Sequence, residues 1–358
     1  MARTQKKGKM PTVKEVAALA EVSLATVSHV INKTRFVSDE TIAKVENAIK
    51  ILDYKPNQIA RNLSSGESQL IGYVVSNIKC YFYLDVAAGI EKTLDGTGKQ
   101  LLLMDSRDSK EREIRNIKSL LLRGVDGIII APTTTDYSFL KELLPEGFPA
   151  VFLDRQPLGY EADYVLLNNK AASFKAASHL LQKGYTKIAY ITYHYGEGRI
   201  DDTTEERILG FKEAFREADI PLDPSLIEAI PGGAYTQHML IEGGAYHAMK
   251  RILERPFGKR VQAVVCGNGF AAAGVVNCLN NAGVKILEDI ALITYDDELW
   301  MSMTKPKISS IIQLNRRRTW GFWRRNVFSS GFGRRVFLLS LSGWTQILST
   351  EDRAEGMC

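Results

Sequence analysis

Residues 12–32 read TVKEVAALAEVSLATVSHVIN, and this pattern predicts two short helices joined by a tight turn. Thr12 and Glu15 have the spacing of a capping box, in which two side chains satisfy free amides at a helix start. Small and branched apolar residues then recur at helical spacing, and Glu21-Val22 makes the turn. A helix-turn-helix of this kind reads DNA by placing its second helix in the major groove, whereas the alternative is an ordinary helical hairpin.

The next segment, residues 37–66, reads VSDETIAKVENAIKILDYKPNQIARNLSSG. It resembles the third helix and hinge of the lac repressor family, and the resemblance includes the paired helices before it. In that family the hinge helix enters the minor groove when two subunits meet on DNA, so Leu63 is expected to wedge between base steps. Pro56 can start a short helix, but Asn57–Asn62 is too short to be stable alone. We therefore expect this hinge to fold only against DNA or a partner subunit.

The resemblance implies a homodimer on a pseudo-palindromic double-stranded operator, because a two-fold protein requires a two-fold site. The outer face of the second helix should contact bases through Leu24, Ala25 and His29. Contacts to the DNA backbone, which position the protein on the duplex, are expected from Thr12, Ser23, Thr26, Ser28 and Asn32. Ser23 can also cap the second helix. Hinge contacts are expected from Asn57, Ala60 and Leu63.

Length and composition agree with several domains. A chain of 358 residues with 45% hydrophobic content suggests two or three domains with a large core. It has no run of 18 apolar residues and no secretory signal, so we expect a cytoplasmic protein at the bacterial nucleoid and no membrane contact. Its four cysteines have no CxxC spacing, which favours neither disulfides nor zinc.

The charge is uneven along the chain. Residues 1–65 hold 11 Lys+Arg and 6 Asp+Glu, a balance of +5, and residues 300–358 hold 10 and 3, a balance of +7. The segment between them has 25 and 32, a balance of −7. A basic head on an acidic body is expected where phosphate contact is confined to the head.

From Ser68 onward, strand and helix patterns alternate, which predicts an α/β fold of parallel sheets covered by helices. The first helix of this region is expected at about Leu84–Gly98. Two such runs suggest two lobes with a cleft between them, and the resemblance implies a core like that of periplasmic sugar-binding proteins. The predicted divisions are 1–55 for the three-helix DNA-binding domain, 56–67 for the hinge, 68–315 for the two-lobed effector-binding and dimerisation core, and 316–358 for an atypical tail.

Polar residues follow the strands of this core, where ligands of open parallel sheets bind. The resemblance implies effector contacts at Tyr81, Phe82, Asp154, Arg207, Asn268, Asp296 and Gln313. Such a set would hydrogen-bond a small sugar or sugar acid, and Arg155 and Arg207 favour the acid slightly because guanidinium binds carboxylate in a fork. The family usually has Asp after the Asn of its NGFAAAG-type motif. Here that residue is Gly269, so a ligand contact or a cap is missing.

Two other functions share this kind of core. Gly267–Ala272 fits GxGxxA after a strand, which is a dinucleotide fingerprint of an NAD-dependent enzyme, but it does not open the fold. No catalytic residue, metal cluster or cofactor is indicated. A solute-binding protein would lack the N-terminal DNA module. The predicted function is therefore a transcriptional regulator of carbohydrate metabolism, most simply a repressor.

The tail departs from the family after about residue 314. Residues 315–350 contain seven Arg, three of the four Trp and no acid, and neither helical nor strand periodicity persists through them. Codons can be chosen for Arg317–Gly321 that read Glu-Glu-Leu-Gly after a shift of one base. Codons for Ile347–Glu351 can likewise read Phe-Leu-Val-Arg in the shifted frame. The family has segments of both kinds in this region. We hypothesise a frameshift near Asn315, with exposed apolar surface and unpaired sheet edges as its consequence.

Overall fold

The computed structural model describes residues 11–32, 34–54, 68–194, 202–231, 243–256 and 260–312, and the backbone of residues 336–339 and 346–348. The chain separates into two compact units, Met1–Ser68 and Gln69–Cys358. The predicted contacts at Asn57, Ala60, Leu63 and Gln313 lie outside the described residues, as does the whole hinge, residues 56–67.

The described residues of the first unit form three helices, α1 (Val13–Ala20), α2 (Leu24–Asn32) and α3 (Asp39–Ile51). The capping box is present, because Thr12 Oγ1 accepts the Glu15 amide at 3.4 Å and Glu15 Oε2 accepts the Thr12 amide at 2.6 Å. The turn contains Glu21 in the left-handed region, with φ 56°. The buried faces of the helices meet in a small core formed by Val16, Ala17, Ala20, Val27, Val45 and Ala48.

The first lobe of the second unit is a parallel sheet with helices on its faces. Its elements are β1 (Leu70–Val75), α4 (Tyr81–Leu94), β2 (Gln100–Asp105), α5 (Lys110–Leu122), β3 (Gly127–Ile130), α6 (Leu140–Leu143), β4 (Ala150–Leu153) and β5 (Asp163–Leu167). The strands pair in the order β2-β1-β3-β4-β5. Residues of β1, β3 and β4 are almost all buried, because helices cover both faces of the sheet.

The second lobe repeats this arrangement. Its elements are α7 (Asn169–Gln182), β6 (Ile188–His194), α8 (Asp202–Glu217), β7 (Ile227–Pro231), α9 (Gly244–Leu253), β8 (Ala263–Cys266), α10 (Gly269–Asn281), β9 (Ala291–Tyr295) and β10 (Ser309–Ile312). The strands pair in parallel in the order β7-β6-β8-β9-β10. Helices α7 and α8 pack closely at Gly210, where a Cβ atom would lie 2.0 Å from the carbonyl oxygen of Lys170.

The predicted α/β class and the two lobes are confirmed, but the first helix of the core is shifted from its predicted position. It spans Tyr81–Leu94 rather than Leu84–Gly98. Gly96 and Gly98 both have positive φ, 75° and 79°, so the chain leaves the helical conformation before them.

The expectation that the tail leaves both sheet edges unpaired is wrong. Strand β11 (Val336–Leu339) pairs in parallel with β5, and β12 (Gln346–Leu348) pairs antiparallel with β10. Edge strands present a row of unpaired backbone groups, which segments of many different sequences can pair with. The apolar run VFLL is also long enough for a strand, although no periodicity surrounds it.

In the part of the chain that the structure describes, no helix has the length and apolar character needed to cross a bilayer.

Candidate functional site

A cleft of about 640 Å³, counted with its opening to solvent, lies where the two lobes of the second unit meet. Both sheets reverse their strand order, between β1 and β3 in the first lobe and between β6 and β8 in the second. Ligands of doubly wound sheets bind beyond the carboxyl ends of the strands at these points. The first lobe contributes Asn77, Phe82, Tyr83, Asp108, Asp154 and Arg155, and the second contributes Thr203, Arg207, Asn268, Asp296 and Glu298.

Arg207, on α8, is buried and is held by several contacts. Its Nε donates to Asn169 Oδ1 at 2.8 Å, and its Nη1 donates to the carbonyl oxygen of Gly267 at 2.6 Å. The guanidinium also lies 4.1 Å from the centre of the Tyr295 ring. Burial by itself lowers the pKa of Arg207, but Tyr295 and other nearby groups raise it by more, so the side chain keeps its charge.

Asp154 connects the two lobes across the cleft. It follows β4 in the left-handed region, with φ 71°, and its Oδ2 accepts a hydrogen bond from the Tyr83 hydroxyl at 3.1 Å. Its backbone carbonyl accepts a longer bond from Thr203 Oγ1, at 3.4 Å, and Thr203 belongs to the second lobe. The two lobes therefore touch at this residue, beside the polar side chains of the cleft.

Three polar side chains surround the start of α10. Asn268 caps this helix, because its Oδ1 accepts the Ala271 amide at 2.8 Å. Asp296, which has φ 67° after β9, accepts the amide of Gly269. Glu298 follows two residues later, and its Oε2 accepts a hydrogen bond from Trp300 Nε1 at 2.8 Å. A helix N-terminus favours negative charge, so the site is suited to both carboxylates.

The cleft contains more acids than bases. Asp108, Asp154, Asp296 and Glu298 line it against two arginines. Burial raises the pKa of Asp108 to about 6 and that of Asp296 to about 6, and burial also raises the pKa of Glu298. Arg155 Nη1 donates to the Pro132 carbonyl oxygen at 2.5 Å. Each guanidinium group donates to protein acceptors through one or two of its five N–H groups, and the four carboxyl groups add acceptor oxygens beside them.

The structure brings together most of the effector contacts expected from the sequence, namely Phe82, Asp154, Arg207, Asn268 and Asp296. Tyr81, the first residue of α4, is half-buried and is not among the described residues that line the cleft. The adjacent tyrosine that does line it is Tyr83. Sequence reasoning also missed Asp108 and Glu298, although both follow predicted strands and that position is the signal that could have found them.

The dinucleotide-like motif has a different role in the structure. A Cβ atom on Gly267 would lie 2.2 Å from Thr192 Oγ1, so this glycine allows two backbone segments to approach each other. The space beside Gly269, where a pyrophosphate would have to approach, contains Glu298 Oε1. A carboxylate there repels phosphate, which argues against a nucleotide. Among the described residues there is also no group of three or more His, Cys, Asp and Glu placed to hold a metal ion.

The first unit presents a second candidate surface on α2. Leu24, Ala25, Ser23 and Ser28 are exposed, and Thr26 and His29 are half-buried. Ser23 caps the helix, since its Oγ accepts the Thr26 amide at 3.0 Å, and the His29 ring contacts Thr34 Oγ1 through Nδ1 at 2.8 Å. Of Asn32 only the backbone, at the end of α2, is described. The surface therefore offers short polar and apolar groups that a DNA groove can accommodate.

Comparison with known proteins covers both units. Residues 12–57 match the model of bacterial regulatory proteins of the lacI family, and residues 68–315 match that of periplasmic binding proteins and the sugar-binding domain of the LacI family. The ribose operon repressor of Escherichia coli K12 is 34% identical over 307 residues, covering 85% of this chain and 88% of that protein. The transcriptional repressor PurR of Vibrio atlanticus is 33% identical over 315 residues, covering 86% and 88%.

Solved structures give the same result for the fold. A lac repressor bound to ONPG in its repressed state superposes with a TM-score of 0.77 at 22% identity, over 95% of this chain and 99% of the other. The transcriptional regulator CelR in complex with cellobiose gives a TM-score of 0.63 at 26% identity, over 95% and 98%.

Proposed function

Because this chain belongs to the LacI family of bacterial regulatory proteins, we propose that it represses transcription and that a small neutral sugar in the cleft changes its affinity for an operator. The chain is a DNA-binding regulator of the type that its relatives represent. The observation that carries the proposal is the cleft at the carboxyl ends of both sheets, where charged side chains of the two lobes face one another.

A neutral sugar suits the charges of this cleft better than a sugar acid does. Four carboxyl groups line it against two guanidinium groups, so the balance of charge in the cleft is negative. Sugar hydroxyls donate to carboxylates, whereas a ligand carboxylate would be repelled by them. The CelR structure contains a neutral disaccharide, and the E. coli relative is named for the ribose operon, so aldoses are the first class to examine.

The DNA-binding half of the proposal rests on α2 and on charge. Leu24, Ala25 and His29 would contact base edges in the major groove, with the exposed polar residues beside them on the phosphates. The balance of +5 in residues 1–65 supplies the electrostatic attraction. Two copies of the chain would bind a pseudo-palindromic operator through the region 1–55 and the hinge 56–67, with the core 68–315 supporting the dimer. The site of action would be the nucleoid in the bacterial cytoplasm.

The effector couples to DNA if it binds one arrangement of the lobes more tightly than another. The Thr203–Asp154 hydrogen bond joins the two lobes beside the ligand space. A ligand that contacts both lobes there would favour the arrangement in which they lie close together. The sugar can change the operator affinity only as far as its own affinities for the two arrangements of the lobes differ.

The test begins with selection of a duplex from a random DNA pool by the full chain. Binding of that duplex is then measured by fluorescence anisotropy with neutral aldoses (D-ribose, D-xylose, D-glucose and D-galactose) and with D-gluconate and D-galacturonate as acids. We expect one neutral aldose to change the duplex affinity. A response to an acid alone would refute the neutral class, and a failure to select any duplex would refute the DNA-binding function.

Variants separate the effector site from the DNA surface. Arg207→Ala should retain duplex binding and lose the sugar response, because the anchored guanidinium in the cleft is removed. Arg216→Ala is the matched control, since Arg216 lies on the same helix with 75% of its side chain exposed and contacts Glu213 there. A normal sugar response in Arg207→Ala would show that the cleft is not the effector site.

A further inference from the structure

Gly269 is the first residue of α10, and the end of the Glu298 side chain lies where a Cβ atom of this residue would be. A Cβ atom built at this position would lie 2.0 Å from Glu298 Oε1 and 2.9 Å from Glu298 Cδ. Its φ lies outside the left-handed region that favours glycine, so backbone conformation does not require a glycine here. The carboxylate of Glu298 therefore occupies the space that a side chain at position 269 would take.

Glu298 is held in that space from its other side. Its Oε2 accepts the hydrogen bond from Trp300 Nε1 at 2.8 Å, and the residue directly precedes a 3-10 turn, Leu299–Ser302. The side chain is half-buried and lines the cleft beside Asn268 and Asp296. A carboxylate with one oxygen fixed by an indole is oriented without using all of its capacity to accept hydrogen bonds.

We propose that Glu298 binds the effector's hydroxyl groups, and that Gly269 is present to admit this carboxylate into the cleft. The proposal rests on the proposed function, because it assigns a specificity-determining residue to the same sugar site. It also accounts for the sequence departure at position 269. The acidic group is present in the cleft, but it comes from the segment after β9 instead of from the start of α10.

The two positions should be coupled in a way that a structural role would not produce. Glu298→Ala removes the carboxylate and should weaken binding of the responding aldose by about tenfold or more, as expected for a lost hydrogen bond to a charged group. Gly269→Asp in the presence of Glu298 places two carboxylates in one space and should also weaken binding. In the double variant the Asp can take the vacated space, and the affinity should recover to within about threefold of the original.

The readout is isothermal titration calorimetry of the full chain with D-ribose, or with the neutral aldose that changes duplex affinity, and duplex binding without sugar is measured in parallel. Glu288→Ala is the control, because Glu288 is an exposed acid of the same lobe that pairs with Lys285. Normal duplex affinity in every variant establishes that the protein is folded. If Glu298→Ala binds the sugar with unchanged affinity, the assignment of Glu298 is overturned and the proposed function is not.

Two further outcomes distinguish this proposal from the proposed function. A double variant as weak as the two single variants would overturn the exchange of carboxylates, even if the original chain responds to the sugar. An original chain that binds its duplex but none of the neutral aldoses would overturn the effector class, and the assignment of Glu298 with it.

Discussion

Glu113, a buried acid of the first lobe, should make the stability of this protein depend on pH. Its side chain on α5 has no exposed surface. One carboxylate oxygen accepts the Thr133 amide at 3.1 Å, and the other accepts the hydroxyl of Tyr137. The charged group that faces it is Arg155, which holds the neighbouring Pro132 carbonyl. Burial raises the pKa of Glu113 from 4.5 to about 7, although these hydrogen bonds and Arg155 act in the opposite direction.

The size and sign of the effect follow from that difference. Folded Glu113 keeps its proton at pH values where the unfolded chain has lost it, so stability falls as the pH rises. The contribution is fully present below about pH 4.5 and is lost as the pH rises through about 7. At 1.36 kcal/mol per pH unit, the difference is on the order of 3 kcal/mol of unfolding free energy.

Glu113→Gln tests this directly, because the amide is neutral at every pH and can still accept from Thr133. The free energy of unfolding is measured by urea denaturation, followed by circular dichroism, at pH 5, 6, 7 and 8. Asp108 and Asp296 also have a pKa raised to about 6, but they are present in both proteins, so the difference between the two pH profiles isolates Glu113. The variant should lose less stability between pH 5 and pH 8, by roughly 2.5 kcal/mol, because part of the loss already occurs below pH 5.

The matched control is Glu91→Gln, since Glu91 is exposed on α4. Its profile should run parallel to that of the original chain. If the profiles of Glu113→Gln and the original chain are parallel as well, the burial of an ionisable Glu113 does not control stability and the reasoning fails.

Four further predictions concern other parts of the molecule. Gly210→Ala should lower the free energy of unfolding by about 2 kcal/mol, because the added methyl group meets the backbone of α7; Leu209→Ala, at an exposed position, is the urea-denaturation control. Thr12→Ala should destabilise the first unit by about 1 kcal/mol through loss of the capping box, which thermal unfolding of α1 would report. Leu63→Ala should weaken binding of the selected duplex roughly tenfold and leave non-specific binding unchanged in anisotropy titrations; equal loss of both would contradict the wedge. A chain with the shifted frame restored after residue 314 should form a tighter dimer in sedimentation equilibrium, and equal dimerisation would show that the altered tail is tolerated.

The sequence by itself was enough where the governing interactions are local. The capping box at Thr12 and Glu15 and the turn at Glu21 depend on residues within one helical turn of each other, and the structure contains both. The alternation of strands and helices likewise predicted two α/β lobes, because apolar periodicity reports which face of each element is buried. Asp154 and Asp296 were expected in the cleft because each follows a strand, and ligands of open parallel sheets bind beyond the carboxyl ends of the strands.

Tertiary structure decided which side chains meet. Tyr83, and not the expected Tyr81, is the residue of the first turn of α4 whose hydroxyl donates to Asp154. The burial of Glu113 depends on a loop 20 residues away, and nothing in its charged helix indicates it.

The chain by itself determined a DNA-binding unit followed by two parallel-sheet lobes, because short-range hydrogen bonds and periodic burial are encoded locally. Only the tertiary structure placed the Glu298 carboxylate in the space beside Gly269. The two residues follow different strands, β9 and β8, and no local sequence pattern gives the distance between them. The cleft contains four acids and two arginines because the folded lobes bring these distant residues together. The ligand chemistry of the protein therefore depends on long-range packing more than its fold does.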